Sequence, residues 1–408
     1  MKDVFDGVTG RLAHIKKKIG LTDAEVKALL KPERISRATL KIGSDNLPAW
    51  RVAFNTNLGP AKGGIRFHPE VSEGEVKSLA FWMALKNSLV GLPYGGGKGG
   101  VKFNPKGKSK EYIDKVSRAY VDAFYKHLGE NIDIPAPDVY TNSEIMGVML
   151  DQFEKKIGQH QPAMITGKPL ELGGLALRSD STAKGGFIVI KELLHHIEGI
   201  STKPTVAIQG FGNAGLNIAK MLFADGFKIV AVSDSSGGIY DKSGIDINKA
   251  IDLKNSGTSA TDFTGAKITN KELLELPVDI LVLAALENQI TAENADKIKA
   301  KNIIELANGP VDFAADEILW KKKILVVPDI LANSGGVIVS YFEWAQNKTG
   351  NILEPEFLEK KLFAMMEAAW HLVYELFKDR NDLDLRTAAY SIAIDRILRA
   401  ARARGRME

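Results

Sequence analysis

The 408-residue sequence contains no cysteine. Disulfide frameworks, thiolate zinc centres, iron–sulfur clusters and thiol nucleophiles are excluded with it. Charge of one sign is also scarce in excess: 54 Lys and Arg face 50 Asp and Glu, a formal net charge of +4. So small a surplus makes no general case for nucleic acid or an anionic membrane as partner. No uninterrupted apolar run reaches the roughly 18 residues that span a bilayer. The segment Met1 to Asp6 carries acidic residues and no apolar core of signal-peptide length. A cytoplasmic globular protein is therefore expected, and no metal site is assigned.

What is present is ordinary in amount and uneven in placement. Apolar residues make up 45% and charged residues 25%, a composition that folds rather than one that stays disordered. The length exceeds one core of ordinary size, so two domains are expected. The 38 glycines crowd into Gly59 to Gly64, Gly91 to Gly100, Gly167 to Gly186, Gly210 to Gly215 and Gly335 to Gly336. Read as loops, these let backbone approach a ligand closely.

Ser72-Glu73-Gly74-Glu75 has the form of a capping box. The apolar run Val76 to Val90 after it predicts a buried helix ending near Gly91. Further helices are predicted over Lys110 to Leu128 and Asn142 to Lys156. Two prolines in Ile132 to Asp138 argue against helix or central strand, so that segment is expected to be a loop. After residue 180, β-branched runs at Thr205–Gln209, Lys228–Ser233, Asp279–Ala284, Asn302–Glu305 and Ile324–Val327 alternate with helical patterns such as Ala214–Ala224. That alternation predicts a doubly wound parallel sheet. Helices return over Tyr341–Gln346, Glu356–Asp379 and Leu385–Arg404. Arg396, Arg399, Arg402, Arg404 and Arg406 are expected on a solvated or subunit-facing helix end.

Gly210-Phe211-Gly212-Asn213-Ala214-Gly215 fits G-x-G-x-x-G, and its context gives it weight. It follows the strand-like Val206-Ala207-Ile208 and opens a helix, and a second strand ends at Asp234. This is the setting of a dinucleotide fingerprint. Gly210 permits the tight turn, Gly212 admits the pyrophosphate, Gly215 allows close helix–strand packing, and the helix start supplies amides. Asp234 suits the ribose hydroxyls of NAD, while Ser235 and Ser236 suit a 2′-phosphate, so NAD and NADP both stay open.

Three lysines stand in unusual settings. Lys62 lies in Gly59-Pro60-Ala61-Lys62-Gly63-Gly64, Lys86 in the last turn of the apolar helix, and Lys98 in Tyr94-Gly95-Gly96-Gly97-Lys98-Gly99-Gly100. The last is no phosphate loop, because Leu92 stands where the Walker pattern needs glycine and Gly99 where it needs Ser or Thr. Together with a nucleotide fold, the three lysines suggest a pocket that binds carboxylates and handles an amine.

Nine segments, in order and spanning nearly the whole chain, resemble the amino-acid dehydrogenase superfamily, most closely its hexameric glutamate dehydrogenases. They are GPAKGGIRFHP (59–69), LKNSLVGLPYGGGKGGV (85–101), PAPDVYTN (135–142), TGKPLELGG (166–174), IQGFGNAG (208–215), SDSSGGIY (233–240), AALENQIT (284–291), ANGP (307–310) and LANSGGVIVSYFEWAQN (331–347). The departures are Leu283, where proline is common, and Leu306, where glycine is common.

The resemblance implies a fold of two α/β domains. Residues 1–180 form the substrate-binding and oligomerisation domain, 181–334 the Rossmann-type dinucleotide domain, and 335–408 are helices packing back on the first. It further implies catalytic roles for Lys98 and for Asp138, which transfers protons. Lys62, helped by Ser340, binds the substrate's side-chain carboxylate, and Lys86 holds its α-carboxylate. Gly64, Ala136, Arg178 and Val337 complete the substrate pocket. Gly210, Gly212, Asn213, Ala214, Gly215, Asp234, Ser235, Thr182, Ala285, Asn308 and Asn333 bind NAD or NADP. A homohexamer follows from the same likeness.

The chemistry accounts for these residue types. Oxidising an amine to an imine by hydride transfer, then hydrolysing it, needs a neutral base near the carbon. A free lysine titrates near about 10.4, and desolvation or a neighbouring cation brings it down. Lys86 is expected to supply part of that repulsion to Lys98. Two groups for a second carboxylate, Lys62 and Ser340, favour L-glutamate and 2-oxoglutarate as substrates. The alternatives are a branched-chain or aromatic amino-acid dehydrogenase of the same superfamily, or a catalytically silent nucleotide-binding homologue.

Overall fold

The computed structural model describes residues 5–196 and 203–407. Met1–Val4, part of the segment read above for a signal peptide, lie outside the described residues. Two compact units emerge. One comprises Met1–Arg178, Val337–Lys360 and Tyr390–Glu408, and the other Ser179–Gly336 and Lys361–Ala389.

The first unit opens with helices α1 (Phe5–Ile19) and α2 (Asp23–Leu30) and strands β1 (Arg34–Ile42), β2 (Asp45–Phe54) and β3 (Ala61–Phe67). Then come α3 (Glu73–Leu89), β4 (Gly95–Val101), α4 (Lys110–Phe124), β5 (Asp133–Pro137) and α5 (Ser143–Ile157). The sheet runs β1-β2-β4-β3-β5, antiparallel on the β1–β2–β4 side and parallel on the β4–β3–β5 side. Its core gathers Ile65, Phe67 and Val101 with Tyr120, Phe124, Met146, Met149 and Phe153 from α4 and α5.

Two expectations are corrected here. The glycine stretches around Lys62 and Lys98 are largely strand, not loop. Every residue of β4 is buried although five of its seven are glycine. Glycine disfavours strands unless another chain segment presses close, and here it does so on both faces. A Cβ on Gly96 would stand 2.0 Å from the Ala80 carbonyl of α3, and one on Gly99 2.1 Å from the Tyr120 hydroxyl of α4. The proline-bearing segment 132–138, expected as a loop, supplies β5. That strand lies at the sheet edge, with β3 as its one neighbour in the sheet among the described strands, where a missing N–H costs no ladder bond.

The second unit contains α6 (Ser181–His196), β6 (Thr205–Gln209), α7 (Asn213–Ala224), β7 (Lys228–Asp234), β8 (Gly237–Tyr240), α8 (Ile247–Asn255), β9 (Ala266–Ile268) and α9 (Asn270–Leu274). It continues with β10 (Ile280–Leu283), β11 (Asn302–Glu305), α10 (Phe313–Lys321), β12 (Leu325–Val327) and α11 (Asp329–Ala332). The sheet order is β12-β11-β10-β6-β7-β8-β9. Strands β12 to β7 are parallel, as expected, and β8 and β9 extend the edge antiparallel. Strand order reverses between β6 and β10, so a crevice opens at their C-terminal ends.

Helices α12 (Gly335–Thr349), α13 (Pro355–Asp379) and α14 (Leu385–Ala403) close the chain. They do not all return to the first unit, because residues 361–389 group with the second. The physical reason is a buried charge: Arg386 makes paired bonds of 2.8 and 2.7 Å to Glu305 at the end of β11. The rest of α14 belongs to the first unit. There Arg396 donates at 2.8 Å to the Ser88 carbonyl and also to that of Leu89, capping α3, and Arg404 donates at 2.7 Å to the Asn57 carbonyl. Arg399, Arg402, Arg404 and Arg406 are exposed, as expected of a solvated helix end, and Arg396 alone is half-buried against α3.

Candidate active site

Lys98 and Asp138 meet directly. The Lys98 ammonium lies 2.8 Å from Asp138 Oδ1, and Arg66 Nε donates to Oδ2 at 2.8 Å. Lys98 comes from β4, Arg66 from β3, and Asp138 from the residue after β5. The parallel register, with Gly64 opposite Ala136, carries the three toward one another. A Cβ on Gly64 would stand 2.7 Å from the Pro137 carbonyl and 2.8 Å from the Asp138 Cβ, so only glycine admits this approach.

Arg66 also pairs with Glu75. The predicted capping box is thus half made: Ser72 Oγ accepts the Glu75 amide at 3.3 Å, while the Glu75 carboxylate turns to Arg66. Burial lowers the pKa of Lys98, and Arg66 adds to that against the attraction of Asp138. The cation beside Lys98 is therefore Arg66, where Lys86 was expected. Burial opposes the charge of Asp138, but Lys98 and Arg66 together hold its carboxyl far below the usual range. The pair is an ammonium on a carboxylate.

Lys62 is 2% exposed. Burial, then the nearby Arg178 guanidinium, bring its ammonium down to about 7, against the attraction of Glu343. Glu343 is buried on α12, where its carboxylate accepts the Gly167 amide at 2.8 Å and the Lys168 ammonium at 2.7 Å. Ser340 is buried one turn before it on the same helix. Behind Lys62, Arg51 donates to the Asp133 carboxylate, by Nε at 3.1 Å, and to the Gly63 carbonyl at 3.0 Å. Arg34 adds a 2.8 Å bond to the same carboxylate. Lys86 is buried in the last turn of α3, Ala136 is buried in β5, and Val337 is half-buried on α12.

Sequence reading missed Arg66, Glu343, Arg51 and Asp133. Arg66 and Glu343 lie inside segments already singled out, and a carboxylate in the apolar run Val337 to Trp344 was a legible sign. Arg51 and Asp133 had no such sign, because only strand pairing buries them together.

The residues expected to bind the dinucleotide lie in the second unit, with Gly210 to Gly215 at its strand-order reversal. Gly210 follows β6 with φ +93° and faces the residues after β10: a Cβ there would lie 2.7 Å from the Ala284 carbonyl carbon and the Ala285 amide. Gly215 is equally forced, since its Cβ would lie 1.8 Å from the Gly210 carbonyl. Gly212, by contrast, faces open space and begins α7 without a side-chain cap, with Asn213 and Ala214 in the first turn. Open amides at a helix start fit a pyrophosphate.

Asp234 accepts from Lys254 at 2.8 Å and from the amides of Ser236 and Ala260 at 2.9 and 3.0 Å. Burial opposes its charge, and these donors bring the carboxyl down to about 2. A carboxylate acceptor, a cation and the exposed Ser235 thus stand together, fit for ribose hydroxyls and for a 2′-phosphate. Asn333 donates its amide to the Leu306 and Asn308 oxygens at 3.1 and 3.0 Å, while its buried Oδ1 has no protein partner. That orphaned acceptor suits the carboxamide of nicotinamide. Thr182 lies half-buried in the first turn of α6, in this same unit.

A glycine turn and helix start that fit a dinucleotide in one unit, and lysines buried against carboxylates in the other, are the features of a nicotinamide-dependent dehydrogenase. The chain belongs to the Glutamate/Leucine/Phenylalanine/Valine dehydrogenase family, which residues 173–405 match. Residues 32–155 match the Glu/Leu/Phe/Val dehydrogenase, dimerisation domain. The chain is 41% identical to the NADP-specific glutamate dehydrogenase of Synechocystis sp., over 98% of this chain and 97% of that protein. It is 44% identical to the NAD-specific glutamate dehydrogenase of Staphylococcus aureus, over 95% of each. The hetero-hexameric glutamate dehydrogenase of Thermus thermophilus, in a leucine-bound form, superposes with a TM-score of 0.93 at 29% identity, covering 100% of this chain and 99% of that one.

Proposed function

We propose that the protein is a glutamate dehydrogenase, converting L-glutamate reversibly to 2-oxoglutarate and ammonium. The observation that carries the substrate is Lys62: a buried ammonium beside the Arg178 guanidinium is a site built for an anion, and the apolar amino acids have none to offer at their far end. In this reading Lys62 and Ser340 take the side-chain carboxylate and Lys86 the α-carboxylate. Arg178, Gly64, Ala136 and Val337 shape the space between.

Bound NAD or NADP supplies the acceptor for the hydride that leaves the α-carbon. Lys98 and Asp138 handle the protons. Asp138, kept ionised by its two cations, accepts a proton from the substrate ammonium, which frees the nitrogen lone pair. Lys98, its pKa lowered by burial, first passes its ammonium proton through Asp138 to solvent, and the neutral amine then takes a proton from the water that attacks the imine carbon. Gly210, Gly212, Asn213, Ala214, Gly215, Asp234, Ser235, Thr182, Ala285, Asn308 and Asn333 seat the dinucleotide.

The test is absorbance at the reduced-nicotinamide band with glutamate, leucine, valine and phenylalanine, each with NAD and with NADP. Glutamate should turn over fastest with at least one cofactor. Faster oxidation of leucine, valine or phenylalanine would refute the substrate.

The domain roles are part of the same reading: substrate binding and assembly by the first unit, dinucleotide binding by the second. The assembly in this reading is a cytoplasmic homohexamer; the match to a dimerisation domain and the hetero-hexameric Thermus neighbour support assembly into six, and the location rests on the sequence reading alone. Sedimentation of the purified chain as anything smaller than six copies would overturn the hexamer.

A further inference from the structure

The C-terminal end of α6 carries Glu192, His195 and His196. Residues four apart share one side of a helix, so Glu192 and His196 are neighbours along it. Helix α13 adds His371 within the same unit, its Nε2 3.5 Å from Glu192 Oε2. One ligand atom from each of Glu192, His196 and His371 lies within 4.8 Å of the other two. His195 Nδ1 stands 3.9 Å from the second oxygen of Glu192. One carboxylate is thus ringed by imidazoles from two helices.

The orientation of His196 adds to this. Its ring packs on Tyr374, 4.3 Å between centroids, and its Nδ1 lies 2.7 Å from the Glu192 main-chain carbonyl. With the proton on Nδ1 donated to that carbonyl, Nε2 keeps its lone pair, the arrangement that metal-bound histidines adopt. The indole N–H of Trp370 lies 3.4 Å from the same Nδ1, at the limit of a hydrogen bond, and gives way to the shorter contact. The side chain of His371 is 53% exposed, which leaves an ion a path in. Ligand atoms around a tetrahedral ion at about 2.0–2.1 Å stand roughly 3.3 Å apart. The His371–Glu192 separation of 3.5 Å is already close to that.

We propose that Glu192, His196 and His371 form a site for a divalent transition ion of the zinc class, with His195 or water as fourth ligand, clamping α13 onto α6. Imidazole and carboxylate donors suit such ions, and hard oxygen-seeking cations prefer all-oxygen sets. None of these residues has a part in the proposed reaction, so the site stands independently of it.

The test takes the full chain, strips it with a chelator and titrates it with Zn²⁺, and with Co²⁺ as a coloured reporter. One ion per chain is expected, with Co²⁺ d–d bands of low coordination number. A thermal midpoint that climbs with free Zn²⁺ is also expected, because the ion binds the folded state. His371→Ala and Glu192→Gln should each weaken binding by about tenfold or more. Both variants should leave the metal-free turnover of glutamate unchanged. Absence of a stoichiometric ion, or an ion held as tightly by both variants as by the parent, would overturn the site.

Discussion

Replacing Lys62 by methionine should stabilise the first unit and remove the use of glutamate, two opposite effects with one cause. Burial and Arg178 bring the Lys62 ammonium from an ordinary 10.5 to about 7. The unfolded chain keeps the ordinary value and binds the proton more tightly than the native state does. At pH 7 that difference costs the fold about 4 kcal/mol. Methionine fills a similar volume without a charge to desolvate, so a gain of about 2–4 kcal/mol is expected. The sign against pH is fixed by the depressed pKa. The penalty is full below about pH 7 and fades as pH rises toward 10.5, where the unfolded lysine also loses its proton. The advantage of Lys62→Met should therefore shrink from pH 7 to pH 10, as read by denaturant unfolding at both. Activity should move the other way, because a desolvated partner for a carboxylate is worth roughly 10²–10³-fold in kcat/KM. An unchanged glutamate KM, or a variant less stable than the parent at pH 7, would refute the reasoning.

Lys98→Ala should lower turnover by about 10²-fold or more, the low end for an acid–base group, in the nicotinamide absorbance assay. Arg66→Met removes a cation that depresses Lys98, so its pKa rises and the acid limb of the kcat/KM profile should move to higher pH. Glu343→Gln leaves the Lys168 ammonium buried without its carboxylate, and denaturant unfolding should show a loss of about 3–5 kcal/mol. Gly212→Val, whose side chain enters open space, should leave the circular dichroism intact while weakening dinucleotide binding in a fluorescence titration by about tenfold or more.

The second unit was more legible than the first. Buried parallel strands are continuous β-branched runs, so Thr205–Gln209 and Asn302–Glu305 appear in the structure with the bounds read from sequence. The fingerprint could be read because its glycines answer local demands, a positive φ at Gly210 and contact within a few residues at Gly215. In the first unit, β4 is mostly glycine, and local propensity points away from strand. What makes it a strand is α3 on one face and Tyr120 on the other, neither visible along the chain. Helix α4 shows a smaller version of the same limit: its pattern ran to Leu128, but the helix ends at Phe124 and a 3₁₀ turn, Tyr125–His127, follows.

The sequence by itself determined the chemistry on offer: no thiol, no surplus charge, a dinucleotide fingerprint, and lysines where solvent-facing residues would be commonplace. Those are properties of residue type and short spacing, which survive without a fold. Tertiary structure alone decided the partners. Lys98 received Arg66 and Asp138 through the register of β3, β4 and β5, Lys62 received Arg178 and Glu343, and Glu192 received His371 from α13. A buried charge takes its behaviour from whatever packing sets within a few ångströms of it, and packing joins residues that the chain keeps far apart.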